Sequence, residues 1–204
     1  MRIHRRTLLS VVAAGIAAPV LGPAIPARAA DAGPESQRSL GSPNAKTTVD
    51  EWFSLTCTHC AHFTQDTFPQ IKTELIDTGK VHWIFRDFPL DQVALLAAMV
   101  ARYLPPDRYE PFVIALFANQ DRWAFAQGVN PQNELWKTAA LAGMSRATFD
   151  KAVADDTLKT WILQQQSDAQ KKWGIDSTPS FVVNGQKYAG DMSFDSFRKL
   201  VPDA

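Results

Sequence analysis

Cysteine is scarce in this sequence: there are two residues, Cys57 and Cys60, in a chain of 204. Two cysteines exclude a small fold that is held together by several disulfide bridges. The formal net charge is zero, which argues against a nucleic-acid partner because such proteins need a basic surface. With 46% hydrophobic and 21% charged residues, the composition also excludes a disordered chain, and the length allows one domain or one domain with an insertion.

Long hydrophobic runs are missing after the N-terminus, where the longest one, residues 93–101, is too short to span a bilayer. The N-terminus itself carries three arginines in its first six residues, a hydrophobic stretch over 8–21 and an Ala-Arg-Ala sequence that ends at Ala29. This order is typical of a cleaved secretory signal. The sequence therefore predicts a signal peptide over residues 1–29, exported by the Sec or the twin-arginine route, and a mature protein in a compartment where disulfides persist.

The mature chain is predicted to consist of a flexible N-terminal segment, residues 30–46, and one α/β domain, residues 47–204. The segment is rich in Gly, Pro, Ser and Asn, which favour irregular structure. Within the domain, hydrophobic residues at helical spacing over about 90–174 predict an inserted block of helices. Their faces carry no cluster of titratable groups, so we interpret them as hydrophobic core.

The predicted strands and helices place the cysteines between two strands. β-Branched and aromatic residues over 47–55 and 81–88 predict these strands, and the sequence between them predicts a helix that kinks at Pro69 and ends near Gly79. Strand, helix and strand predict a parallel βαβ unit. After the helical block, an Asn-Gly pair at 184–185 predicts a hairpin, and a last helix follows.

Both cysteines belong to one motif, Cys57-Thr58-His59-Cys60, at the start of the predicted helix. Free backbone N–H groups and the helix dipole stabilise an anion there, so we expect an exposed Cys57 thiolate with a pKa well below about 8.5. The imidazole of His59 is a candidate positive partner. Because stabilising the thiolate favours the reduced form, the disulfide is expected to be a strong oxidant, with Cys60 as the shielded resolving thiol.

Other interpretations of the motif stay open from the residues alone. A structural disulfide would close a four-residue loop and constrain little of the chain. A copper or zinc carrier could use Cys57, Cys60 and His62, although a metal site usually needs more ligands and His82 is the other histidine of the mature chain. A binding module without catalysis is a third alternative. Covalent haem attachment is excluded because it needs Cys-x-x-Cys-His and residue 61 is Ala.

The dipeptide Thr178-Pro179 precedes the predicted hairpin. A cis peptide bond there would leave the backbone N–H and C=O of Thr178 free to pair with an extended substrate peptide. The alternative is an ordinary trans proline at the start of a strand. The sequence does not determine which isomer forms.

Glu51 lies six residues before Cys57 in the first predicted strand, on the same face as Phe53 and Leu55. A carboxyl group on this hydrophobic face would be desolvated, which raises its pKa. It could then carry the proton of Cys60 when a mixed disulfide resolves. The alternative is a charged side chain that faces solvent.

Three stretches resemble the DsbA family of thioredoxin-like proteins, and the likeness extends over residues 40–201. They are EWFSLTCTHCAHF, VHWIFRDFPL and GIDSTPSFVVNGQKYAGDMSFDSFRKL. The resemblance implies an α/β, thioredoxin-like fold with an inserted helical subdomain. It also implies a periplasmic thiol:disulfide oxidoreductase that needs no cofactor and no metal.

The resemblance further implies roles for individual residues. Cys57 would be the nucleophile and Cys60 the resolving thiol, Thr178-Pro179 the cis-proline loop, and Glu51 the buried acid. His59 matches the histidine of the family motif, whereas Thr58 replaces its proline. That replacement leaves the redox poise open. A Thr before the cis proline, here Thr178, also occurs in isomerase-type relatives, so an oxidase and a reductase or isomerase both stay open. The implied partners are unfolded or reduced exported proteins and a membrane redox protein, either a quinone-linked oxidase or a thiol reductase; no nucleic acid is implied.

Overall fold

One mixed β-sheet forms the centre of the molecule. A computed structural model describes residues 33–202, so the predicted signal peptide lies outside the described residues. The strands are β1 (Arg38–Leu40), β2 (Thr47–Phe53), β3 (Val81–Asp87), β4 (Ser180–Val183) and β5 (Gln186–Ala189). Their order across the sheet is β1-β3-β2-β4-β5, with β2 and β3 parallel and the other neighbouring pairs antiparallel.

Helices connect the strands in the predicted order. They are α1 (Thr58–His62), α2 (Phe68–Ile71), α3 (Gln92–Arg102), α4 (Pro106–Phe117), α5 (Gln120–Trp123), α6 (Pro131–Leu141), α7 (Arg146–Val153), α8 (Asp156–Trp173) and α9 (Phe194–Arg198). The first two lie between β2 and β3, and α3 to α8 lie between β3 and β4. The parallel βαβ unit, the inserted helical block and the thioredoxin-like fold are therefore confirmed. In the described part of the chain, no helix combines the length and hydrophobicity that crossing a membrane requires.

The helical connection between β2 and β3 is irregular. α1 and α2 are joined by a π-helical segment, Phe63–Thr67, and a second one, Lys72–Ile76, follows α2. Pro69 has no N–H group to bond to the carbonyl four residues earlier, so an α-helix cannot continue unbroken through it. The predicted kink takes the form of the π-helical turn just before α2.

Aromatic rings attach the helix that carries the cysteines to the sheet. Phe63, directly after α1, lies 4.8 Å from Phe181 of β4 between ring centroids, and Trp83 of β3 lies 5.5 Å from Phe197 of α9. All four side chains are fully buried. Each contributes about 1.5–3 kcal/mol through burial, so this cluster holds the end of α1 against β3, β4 and α9.

The prediction of a flexible segment over 30–46 is wrong for its described part. β1 pairs with β3 from Arg38↔Phe85 to Leu40↔Trp83. The guanidinium of Arg38 is buried and donates to the carbonyl oxygen of Arg102 at 2.7 Å. A three-residue strand that buries an arginine has no recognisable hydrophobic pattern, because tertiary pairing alone stabilises it.

Polar side chains cap several helices, and the predicted Asn-Gly hairpin is confirmed. The side chains of Asn130, Ser145 and Ser193 accept hydrogen bonds from the first turns of α6, α7 and α9, as N-cap residues do. Asn184 and Gly185 both have positive φ, 46° and 88°, as the tight hairpin between β4 and β5 requires.

Candidate active site

The first cysteine of the motif caps the helix that follows β2. Cys57 has an extended backbone, with φ −81° and ψ 119°, and its Sγ accepts a hydrogen bond from the backbone N–H of Cys60 at 3.2 Å. Cys60 lies one turn inside the helix and is fully buried. Both are free thiols. The predicted placement of the nucleophilic sulfur at a helix N-terminus is therefore observed.

The two thiols have opposite electrostatic environments. A hydrogen bond from the Cys60 thiol, and smaller ones from Thr178 and from the backbone N–H groups of Cys60 and His59, outweigh burial and lower the pKa of Cys57 to about 6. Burial and the charge on Cys57 raise the pKa of Cys60 far above its usual range. At neutral pH the reduced pair therefore holds a thiolate at Cys57 and a thiol at Cys60.

Cys57 is less accessible than its place at the head of the motif suggests. Its exposed fraction is 7%, so the expectation of an exposed sulfur is wrong. The loop before β4 covers it: in its protonated form, the thiol of Cys57 donates to the carbonyl oxygen of Thr178 at 3.3 Å.

The loop that covers the sulfur contains a cis peptide bond between Thr178 and Pro179, as the resemblance implied. The hydroxyl of Thr178 is buried. It helps to lower the pKa of Cys57 because it can donate to the thiolate. Both polar groups of Thr178, the carbonyl and the hydroxyl, thus act on the same sulfur.

Glu51 is buried, with an exposed fraction of 3%, so its interpretation as a solvent-facing charge is wrong. Its Oε2 accepts a hydrogen bond from the indole N–H of Trp83 at 3.0 Å. Burial raises the pKa of Glu51 to about 8; the bond from Trp83 opposes this shift and the charge on Cys57 adds to it. The carboxyl group is therefore largely protonated at neutral pH.

The two residues between the cysteines are exposed. The imidazole of His59 makes no hydrogen bond or ion pair with any described residue, and His59 lowers the pKa of Cys57 through its backbone N–H. The Cys60 thiol, Thr178 and the backbone N–H groups at the start of α1 supply the stabilisation in this structure, and a contribution of the His59 imidazole stays a prediction. Thr58 opens α1 and contributes no contact of its side chain to either sulfur.

His62, the third ligand of the alternative metal site, is paired with carboxylates. Its Nε2 lies 2.9 Å from Asp66 Oδ2, and its Nδ1 contacts Asp191 Oδ2. Over residues 33–202, no group of three or more His, Cys, Asp or Glu side chains could hold a metal ion. The metal-carrier alternative is not favoured.

One buried residue of the site was missed by the sequence analysis. Gln120 of α5 donates from Nε2 to the carbonyl oxygens of Leu55 at 2.8 Å and Cys57 at 3.0 Å. The loop between β2 and α1 is braced from a second side, since Thr56 Oγ1 donates to Asp91 Oδ2 at 2.7 Å. No local pattern marks Gln120, because these contacts join positions more than sixty residues apart.

Comparison with known proteins agrees with this geometry. A family model described as Thioredoxin matches residues 34–203. The crystal structure of alpha-DsbA1 from Wolbachia pipientis has a TM-score of 0.76 and 32% identity, covering 81% of this chain and 89% of that one. BdbD from Bacillus subtilis, in its oxidised form, has a TM-score of 0.71 and 25% identity, covering 81% and 90%.

The chain belongs to the thioredoxin family. Within it, the chain is a member of the DsbA-like proteins. A Rickettsia conorii protein described as a protein-disulfide oxidoreductase is 30% identical over 167 residues, which are 81% of this chain and 59% of that protein. The chain thus spans about three fifths of the length of this curated relative.

Proposed function

We propose that this protein is a thiol:disulfide oxidoreductase that forms disulfide bonds in exported proteins, with Cys57 and Cys60 as its redox pair. The observation that carries the proposal is the placement of the two thiols: Cys57 Sγ caps α1 and accepts the backbone N–H of Cys60 at 3.2 Å, while Cys60 is fully buried. This placement goes with a pKa lowered to about 6 at Cys57 and one raised at Cys60. Because a stabilised thiolate favours the reduced form, the disulfide form is a strong oxidant. The same thiolate is a good leaving group when a mixed disulfide breaks.

The reaction proceeds by two thiol–disulfide exchanges. A substrate thiolate attacks Sγ of Cys57, an S–S bond to the substrate forms, and the Cys57–Cys60 bond breaks with its electrons going to Cys60. A second substrate thiolate then attacks the substrate sulfur of the mixed disulfide and releases the Cys57 thiolate. The substrate loses two electrons and gains a disulfide, and the protein ends as one thiolate and one thiol.

Glu51 is proposed to donate the proton that Cys60 needs in the first exchange. Cys60 leaves as a thiolate whose pKa is raised by burial, so it takes up a proton at once. Glu51 is buried and largely protonated at neutral pH, with a pKa of about 8. The hydrogen bond from Trp83 stabilises the carboxylate that remains after the transfer. In the reverse direction Glu51 would accept the same proton.

Thr178 and Pro179 are proposed to bind the substrate backbone. The Thr178 carbonyl lies 3.3 Å from the sulfur that is attacked, so a peptide that pairs with this backbone as an added strand brings its cysteine to Cys57. Binding would also replace the contact between Thr178 and Cys57. Thr58 and His59, which are exposed beside the nucleophile, would contact the substrate or the redox partner.

The proposed location is the periplasm. The predicted signal peptide over residues 1–29 supports export. The proposed substrates are unfolded or reduced exported proteins, and a membrane redox partner, by preference a quinone-linked oxidase, would reoxidise the pair. The relatives named for protein-disulfide oxidoreduction and for disulfide bond formation support this direction.

The equilibrium redox potential of the pair against glutathione tests the proposal. We expect a value more positive than about −180 mV, the potential of protein disulfide isomerase. The protein should also oxidise a reduced, unfolded test protein, and Cys57→Ser should abolish this activity without unfolding the protein, since Ser also accepts the N-cap hydrogen bond.

Two outcomes would contradict the proposal. A potential near −270 mV, as in thioredoxin, would assign a reductase. Repair of a scrambled test protein that depends on a reduced pair would assign an isomerase. Equilibrium dialysis of the reduced protein with Cu⁺ or Zn²⁺ covers the remaining alternative: tight stoichiometric binding that is lost in His62→Ala would favour the metal carrier.

A further inference from the structure

The side chain of Gln120 joins the inserted helical block to the backbone beside Cys57. Gln120 begins α5 and is buried, with an exposed fraction of 7%. Its Nε2 carries two hydrogens, and they go to two different carbonyl oxygens, of Leu55 at 2.8 Å and of Cys57 at 3.0 Å. One amide group therefore holds the backbone on both sides of Thr56, immediately before the helix that carries the redox pair.

The carbonyl of Cys57 has a particular place in this helix. It also accepts the first intrahelical bond, from the N–H of Ala61 at 3.1 Å. The carbonyl belongs to the same rigid peptide unit as the N–H of Thr58, so fixing its direction fixes the start of α1. The backbone N–H groups of His59 and Cys60, which lower the pKa of Cys57, follow directly in that turn.

Gln120 is itself held rigidly by the helical block. Trp123, three residues later, is buried, and its indole N–H donates to the carbonyl oxygen of Leu116 in α4 at 2.8 Å. The backbone N–H of Trp123 donates to the carbonyl oxygen of Asn119 at 3.3 Å. α5 is therefore held against α4, and it supports the loop between β2 and α1 from one side.

We propose that Gln120 is a positioning residue for Cys57, which fixes the peptide units at the start of α1 so that their N–H groups point at the sulfur. Through Gln120, the inserted helices set the redox properties of the pair as well as covering it. This inference rests on the proposed function only for its redox readout, because the geometry of the contact is independent of the reaction.

The test replaces Gln120 by Met, which has a similar length and no N–H donor. We expect the thiolate absorbance of reduced Cys57 to titrate at higher pH, and the equilibrium constant with glutathione to shift about three- to tenfold toward the less oxidising side. Gln166→Met is the matched control, since Gln166 of α8 also donates a hydrogen bond to a backbone carbonyl, that of Pro89 at 3.1 Å. The control should stay within about twofold of the parent.

A second measurement keeps the inference testable if Gln120→Met does not fold. In the parent protein, the side-chain amide NMR signals of Gln120 should shift with the same midpoint as the Cys57 titration, since the amide shares a carbonyl with that residue. Signals that stay constant through the titration would overturn the inference, as would a folded Gln120→Met with the titration and equilibrium of the parent. A parent that is not oxidising would instead contradict the proposed function.

Discussion

Among residues 33–202, two clusters of buried ionisable groups, one around Glu51 on β2 and one around Asp87 at the end of β3, differ in how completely they are paired. The carboxyl of Glu51 accepts one hydrogen bond, from a neutral indole, and its pKa is raised to about 8 mainly by burial. Nearby, Cys57 and Cys60 titrate in opposite directions. Here burial changes which groups carry charge.

Around Asp87 the buried groups are paired with one another. The guanidinium of Arg102 contacts Asp87 Oδ2, and the hydroxyl of Tyr109 donates to Oδ1 at 3.5 Å. Burial opposes the charge on Arg102, but the carboxylate of Asp87 and its hydrogen bond leave the pKa of Arg102 above its usual value. Arg102 also donates to the carbonyl oxygens of Pro34 and Ser36, so it fastens the N-terminal segment to the domain.

The difference shows that burial of an ionisable group does not by itself indicate a functional site. A buried charge with a full set of partners holds parts of the chain together, and removing one partner is costly. A buried group with few partners has its pKa moved toward neutrality, where it can transfer a proton or act as a nucleophile. The two clusters are therefore expected to respond differently to mutation, one in stability and the other in reactivity.

The largest expected effect is the loss of stability in Arg102→Met, which leaves the carboxylate of Asp87 buried without its partner. We expect unfolding to become easier by about 3–5 kcal/mol in a urea titration. The redox potential should stay close to that of the parent, because Arg102 makes no hydrogen bond or ion pair with Glu51, Cys57 or Cys60. Lys137→Met, which removes the exposed ion pair with Glu134, is the control and should cost at most about 1 kcal/mol. If Arg102→Met changed the redox potential of the Cys57–Cys60 pair, the two clusters would not differ in the way described.

The second effect is the pH dependence of stability that Glu51 contributes. Its pKa rises from an ordinary value near 4.5 to about 8 on folding, so the folded state holds the extra proton between these values. Stability from this group is therefore fully present below about pH 4.5 and is lost as the pH rises to about 8, by at most about 1.4 kcal/mol per pH unit.

Urea titrations between pH 5 and 8 measure this slope, best in a Cys57→Ser background. That background removes the opposite contribution of Cys57, whose lowered pKa stabilises the reduced protein as the pH rises above about 6. Adding Glu51→Gln should flatten the loss of stability with pH. If the free energy of unfolding changed equally with pH with and without Glu51, folding would not raise the pKa of this carboxyl. The contrast with the Asp87 cluster would then fail.

The smallest expected effect is on the pKa of Cys57. It distinguishes the hydroxyl of Thr178 from the imidazole of His59 as the group that stabilises the thiolate. Thr178→Val removes the hydroxyl that lowers the pKa of Cys57, so we expect the thiolate titration to move up by about one unit. His59→Leu keeps the backbone N–H through which His59 acts and should leave the midpoint where it was. If the histidine variant shifted more than the threonine variant, the imidazole would be the partner after all.

Local sequence predicted much of the fold and part of the site. The Cys-x-x-Cys motif after a β-branched strand predicted the helix start, because cap position and helix dipole depend on neighbouring residues only. The signal for the Asn-Gly hairpin was equally local. β1 and the buried contacts of Arg102 were not predicted, and the helical block was wrongly taken to carry no titratable cluster. Those groups meet across the fold, and no short window of sequence contains both partners.

The features of the site also fall into those that local sequence predicted and those that tertiary packing decided. That a sulfur begins a helix, and that an acidic residue stands six positions before it in a strand, follows from the order of residues along the chain. That the acid is buried under Trp83, that Thr178 covers the sulfur and that Gln120 holds the backbone of Cys57 was decided by packing between segments far apart in sequence. Hydrogen bonds and desolvation set the pKa values, and both depend on which groups the folded chain brings within a few ångströms of each other.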